Sequence, residues 1–146
     1  MTKAPGLYGR RFYPREVHDL IYRNGWKDPV TMSRMVATVS GESDRYEAAV
    51  GQVNSNGTQD WGMFQLNNGH WSDFASSPDA FYAICVDAEK AAPIARALFD
   101  KDKRAGGTGF GPWFAYGGKH YQEQLPECIK GIVNFLSERE GLGLIL

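Results

Sequence analysis

Within about forty residues this chain changes its periodicity from helical to strand-like, and a carboxylate stands on either side of the change. Asp28 is a fitting N-cap and Pro29 suits a first helical turn, where its missing N–H costs nothing. A helix follows to about Ser40, with Met32, Met35 and Val39 on the same side as Glu42. From Ala48 to Leu66 the pattern turns strand-like around Ser55-Asn56-Gly57-Thr58. Asn-Gly is a strong hairpin signal because both residues accept positive φ. A chain that buries one face of such a helix and closes a hairpin beside it belongs to the α+β class, mostly helical with a small antiparallel hairpin at its edge.

The two acids then sit in different surroundings. Glu42 lies at the rim of an apolar stripe, where desolvation disfavours the charged form, so its pKa is expected to rise and the group to hold a proton near neutral pH. Asp60 follows the polar turn. Strict alternation would set Asp60 with Phe64 and Leu66, but a bend or bulge at Gly62 would bring Asp60, Gln65 and Asn67 onto one polar surface. Taken singly, Glu42 reads as a solvated helix-end acid and Asp60 as a turn-capping aspartate. Taken together, two carboxyl groups held in different protonation states are what acid-assisted cleavage of a glycosidic bond requires.

The run Glu42-Ser43 followed by Asn56-Gly57-Thr58-Gln59-Asp60-Trp61-Gly62-Met63-Phe64-Gln65-Leu66-Asn67 resembles the lysozyme superfamily, in particular c-type lysozymes and the lysozyme-like domains of bacteria and phages. Gly109-Phe110-Gly111-Pro112-Trp113-Phe114-Ala115-Tyr116 resembles that family's cleft-lining segment, so the likeness spans Asp28 to Tyr116. The resemblance implies Glu42 as general acid and Asp60 as nucleophile or electrostatic stabiliser. It further implies that Gln65 and Asn67 bond the sugar or support the second carboxylate, that Trp113 desolvates the acid, and that His70 or Trp71 stacks on a sugar ring. Tyr116 falls in the cleft-lining segment. The alternatives are Trp113 as ordinary core and Gln65 as an amide that only completes a sheet hydrogen bond; for Trp113 core packing and catalysis are compatible.

Two cysteines, Cys85 and Cys128, do not match the several disulfides of c-type enzymes, so the resemblance leans to the bacterial and phage branch, and the thiols are expected free and partly buried. A chain of 146 residues that is 42% hydrophobic forms a single domain over residues 1–146 with a core that needs no disulfide staples. A net charge of −1 without basic clusters interleaved with aromatics gives no pull towards nucleic acid. Lys3, Arg10, Arg11, Arg15, Arg23, Lys27 and Arg34 make the first quarter locally basic, which reads as a solvated face or as an attraction to an anionic wall. His18, His70 and His120 show no ligand spacing, so neither metal nor cofactor is implied. No secretory apolar segment opens the chain and no stretch reaches membrane-spanning length, from which export by a helper, release by lysis, or carriage in a virion is expected.

The remainder reads as helical scaffold: Pro14 to Asn24, Pro78 to Val86 capped by Ser77, Asp87 towards Lys103 with Pro93 kinking it or marking its start, and a C-terminal helix over 121–140. Ala105-Gly106-Gly107-Thr108-Gly109 reads as a mobile loop, and the apolar tail Gly141 to Leu146 has no assigned place. Three functions follow. The first is a muramidase hydrolysing the β-1,4 bond between N-acetylmuramic acid and N-acetylglucosamine of peptidoglycan, as a phage endolysin or virion-associated lysin, monomeric or within a lysin assembly. The second is a lytic transglycosylase using Glu42 alone, and the third a non-catalytic glycan-binding or structural virion module. A carboxylate separation of about 5 Å would favour retention, and roughly 6.5–9.5 Å inversion.

Overall fold

The computed structural model describes residues 2–113, 119–141 and 143. Helices α1 (Pro14–Arg23), α2 (Pro29–Ser43), α3 (Trp71–Phe74), α4 (Pro78–Cys85), α5 (Ala88–Arg104) and α6 (Lys119–Glu140) surround one antiparallel pair, β1 (Asp60–Trp61) and β2 (Leu66–Asn67). No described helix is long and apolar enough to cross a membrane.

Local signals set the helix starts. The Asp28 carboxylate accepts the Thr31 backbone N–H and the Thr31 hydroxyl, each at 2.9 Å, which holds its pKa below the usual carboxylate range. Ser77 caps α4 and Asp87 caps α5 in the same manner. Pro93 lies inside α5 and does not mark its start; the carboxylate of Glu47 instead reaches Ala88 N at the helix end, 2.9 Å away. Helix α2 runs to Ser43, one turn beyond the expected Ser40, and ends on Asp44 in the left-handed conformation, φ 50°. Met32, Met35 and Val39 are buried, as the stripe requires.

The core gathers Trp26, Trp61, Phe64, Phe81 and Phe110 with the aliphatic faces of α1, α2, α5 and α6. Its aromatic rings meet mainly edge to face, for example Trp26 on Phe99 at 5.6 Å and Phe99 on Phe110 at 5.3 Å. Helix α2 packs along α6, and α1 lies against both. Both thiols are free, and burial pushes Cys85 up to about 12 and Cys128 up to about 11. Leu142 and Leu144–Leu146 of the apolar tail lie outside the described residues.

The polar turn appears where the sequence placed it: Asn54 N donates to Thr58 O at 2.7 Å and Gly57 N to Asn54 O at 2.9 Å. The two arms of that turn are joined by Gly51 N to Asp60 O and a single bridge, Val50 to Trp61. The ladder itself forms one turn later, after the chain reverses at 62–65, and pairs Asp60 with Asn67 and Trp61 with Leu66. On the far side of residues 45–50 the amino-terminal segment runs antiparallel, bonded through Gly6, Tyr8, Arg10 and Phe12. The glycine-rich stretch after α5 is pinned: Gly109 N and Gly111 N both donate to the Asp102 carboxylate, at 2.8 and 3.2 Å.

Helix α1 docks on α6 through His18, 4% exposed, whose ring meets Phe135 edge-on at 5.6 Å and whose Nδ1 has no hydrogen-bond partner. A Cβ at Gly131 would stand 2.9 Å from its Cε1, so the glycine lets the helices close. Burial, assisted by Arg15, lowers the His18 pKa from 6.5 to about 4. The unfolded chain therefore takes up a proton below pH 6.5 that the folded chain resists until about pH 4. Stability should be fully present above pH 6.5 and fall by roughly 2–3 kcal/mol from this group by pH 4.5. Urea unfolding of the protein and of His18→Phe at pH 7 and 4.5 checks this: the variant should lose that much less, and equal losses would contradict it.

Candidate functional site

Glu42 occupies the last turn of α2, half-buried, beside a groove of about 390 Å³ lined by Leu7, Ser40, Gly41, Ser43, Asp44 and Gln124. The groove thus draws on three parts of the chain: the amino-terminal segment, the end of α2 and the first half of α6. Asp60, Gln65, Asn67 and Trp113 are not among its lining residues.

The second carboxylate is set by the sheet. Asp60 stands opposite Asn67 in the ladder, and Asn67 Nδ2 donates to Asp60 Oδ1 at 2.9 Å. The same nitrogen reaches Thr58 Oγ1 at 3.0 Å, while Asn67 Oδ1 accepts Gly69 N and caps the 3-10 turn at Asn68–His70. Asn67 is therefore a support for the carboxylate, fixing its orientation from the adjacent strand. Gln65 has left-handed backbone, φ 47°, and its amide nitrogen donates inward to Gly62 O at 2.9 Å and Ala49 O at 3.2 Å. These bonds complete the turn and hold a conformation that a non-glycine residue rarely adopts. The expected bend at Gly62 is real, φ 83°, and it begins the reversal that puts Asn67 beside Asp60.

Trp113 is buried, and its indole N–H donates to Phe64 O at 2.7 Å, tying the segment after α5 to the hairpin turn. Its ring meets Phe110 edge-on, with centroids 6.5 Å apart. His70 ends the 3-10 turn and Trp71 starts α3, both half-buried, with Trp71 packed on the edge of the core. Tyr116 lies outside the described residues. Among the described residues no group of three or more metal-ligating side chains comes together.

Gln59 is the residue that sequence reasoning passed over. Fully buried, its Oε1 accepts Lys3 N at 2.8 Å and the Trp61 indole N–H at 2.9 Å. Its Nε2 donates to Lys3 O at 2.7 Å and Gly51 O at 2.9 Å. One amide thereby joins the amino-terminal segment, the arm at Gly51 and β1 next to Asp60. A glutamine in a polar turn carries no local mark of that role.

The arrangement can present one carboxyl group in an open groove at a helix end and a second held rigidly on a short sheet. The chain is 29% identical over 106 residues to a lysozyme of Hyalophora cecropia, covering 68% of this chain and 71% of that one. It is 39% identical over 51 residues to a lysozyme of Antheraea mylitta, covering 35% and 42% respectively. A crystal structure of a lysozyme from Litopenaeus vannamei superposes with a TM-score of 0.63 at 25% identity, over 82% of this chain and 98% of that one. No family model matches.

Gly62 controls the geometry on which Asp60 depends. A Cβ there would stand 1.8 Å from the Cys85 carbonyl oxygen, so the sheet and the end of α4 would have to part. Gly57, φ 84°, has nothing within 4 Å. Gly62→Ala should lose about 2–4 kcal/mol and Gly57→Ala only about 1–2 kcal/mol. Thermal unfolding of the pair checks this, and equal losses would show that the close approach to α4 carries no weight.

Proposed function

We propose, from the premise that the chain is a lysozyme-like domain, that the protein is a muramidase hydrolysing the β-1,4 bond between N-acetylmuramic acid and N-acetylglucosamine in peptidoglycan. The observation that carries the reading is the place of Glu42: the last turn of an apolar helix, opening on a groove, in a chain whose relatives are lysozymes.

In this mechanism the Glu42 carboxylic acid gives its proton to the glycosidic oxygen as the bond to the anomeric carbon breaks. The leaving sugar departs as a neutral alcohol, and the carboxylate left behind accepts a proton from the incoming water. Asp60, its orientation set by Asn67, faces the positive charge that develops at the anomeric carbon and either stabilises it or bonds to it. Trp113 and Gln65 keep the turn beneath Asp60 in place through Phe64 O, Gly62 O and Ala49 O. No cofactor enters the scheme.

The groove at Glu42 is lined without Asp60, which favours as second reading a lytic transglycosylase working through the single acid. A phage or virion origin draws no support from relatives that come from insects and a shrimp, so the proposal stops at the reaction.

Replacing Glu42 by Gln removes the proton donor and should lower wall cleavage by at least about 1000-fold. Replacing Asp60 by Asn keeps the shape and should lower it by a smaller factor. Turbidity clearing of purified walls, with circular dichroism to confirm folding, measures both; a fully active Glu42→Gln protein would sink the assignment.

A further inference from the structure

A second groove, of about 770 Å³, runs along α1 to the start of α5 and the end of α6, and it shares no lining residue with the groove at Glu42. Its volume lies within the roughly 300–1,000 Å³ typical of ligand sites. Four arginines and four acids line it: Arg10, Arg15, Arg23 and Arg139 against Glu16, Asp19, Glu89 and Glu138, so 4 − 4 leaves no net charge. Each charge is paired. Arg10 meets Glu16 at 2.6 Å, Arg23 meets Asp19 at 2.7 Å and Glu89 at 2.9 Å, Arg139 meets Asp19 at 2.7 Å, and Arg15 meets Glu138.

The chemistry of the walls selects a ligand class. The groove carries no net charge, so it offers an anionic polymer none of the attraction that the basic first quarter suggested. A neutral polyol needs no such attraction. A guanidinium carries five N–H donors in a plane, and the ion pairs of Arg10, Arg15 and Arg139 each engage one of its nitrogens. The planes are also fixed in advance: Arg10 lies over Phe12 at 3.9 Å, and Arg15 and Arg139 over Phe135 at 5.8 Å each. Phe12 and Phe135 are buried beneath them. Preset donors and acceptors lower the ordering cost of binding hydroxyl groups. At the rim Tyr13 is 75% exposed, a flat apolar face of the kind on which the C–H face of a sugar ring packs.

We propose that this groove is a second glycan-binding site, which takes an uncharged N-acetylated β-1,4-linked oligosaccharide and holds the protein on its polymer while the Glu42 groove acts. The identity of the sugar rests on the muramidase reading; the neutrality of the ligand and the stacking on Tyr13 rest on the groove alone.

The test is an amide NMR titration of the full chain carrying Glu42→Gln, which stops turnover, with the hexamer of N-acetylglucosamine. Two separate sets of shifts are expected, one around Ser40–Asp44 and one around Arg10, Tyr13, Arg15, Glu89 and Arg139. Tyr13→Ala should weaken the second set about tenfold and leave the first in place, a change of ~1.4 kcal/mol. Tyr13→Phe, which keeps the ring, should bind as the parent does. Shifts confined to Ser40–Asp44 would overturn the proposal, as would a Tyr13→Ala protein with unchanged binding in the second set. Hexamer binding at the second set by a protein whose parent cuts no wall would uphold this site and remove the muramidase reading.

Discussion

A ladder of two residues per strand has too few bonds to hold a carboxylate in place, so the site depends on what fastens that ladder to the rest of the protein. The main fastening is the buried amide of Gln59. It pairs in both directions with the backbone of Lys3, accepts the indole of Trp61 and reaches Gly51, crossing three chain segments with one side chain. The Trp61 indole N–H is fully buried and would be unmet without it, and leaving such a group unmet costs about 1–3 kcal/mol. Fully satisfied buried amides of this kind fix a single arrangement, which suits a residue one position from Asp60.

Other ties converge on the same turn. The Trp113 indole holds Phe64 O, Glu47 O receives Met63 N at 3.1 Å, and Ala49 O receives Gly62 N at 2.7 Å. Gly62 then lies against the Cys85 carbonyl with no room for a side chain. The sheet is thus clamped between α4, the segment after α2 and the segment after α5. Helix α2, with its stripe buried against α6 and α1, supplies the other carboxylate from a rigid support. Sites placed on regular elements hold their geometry better than sites placed on loops.

Local signals made part of this legible in the sequence. Asp28 and Pro29 mark the start of α2, Ser77 and Asp87 cap α4 and α5, and the spacing of Met32, Met35 and Val39 gives the buried face, because each acts within a turn or two of itself. The glycine at position 62 was readable as a bend through its conflict with strand alternation. What the sequence could not disclose is set by distant partners. The ladder closes on Leu66–Asn67 and not across the Asn56-Gly57 turn because Trp113, 49 residues on, and the Cys85 carbonyl fix the second reversal. The stretch at 105–109 looks mobile by composition and is pinned by Asp102, whose carboxylate reads locally as an ordinary solvated acid. In the basic run at the amino end Arg10, Arg15 and Arg23 are met by Glu16, Glu138, Asp19 and Glu89, two of which, Glu89 and Glu138, stand on other helices far along the chain.

The central claim is that Glu42 drives hydrolysis of a glycan backbone, and the ends of the products report on it most directly. Mass spectrometry of purified peptidoglycan digested by the protein should show muropeptides with reducing N-acetylmuramic acid ends, 18 mass units above their anhydro counterparts because one water is added per cut. Glu42-dependent products ending in anhydro sugars would contradict hydrolysis and establish the transglycosylase, and undigested walls of several types would contradict catalysis altogether.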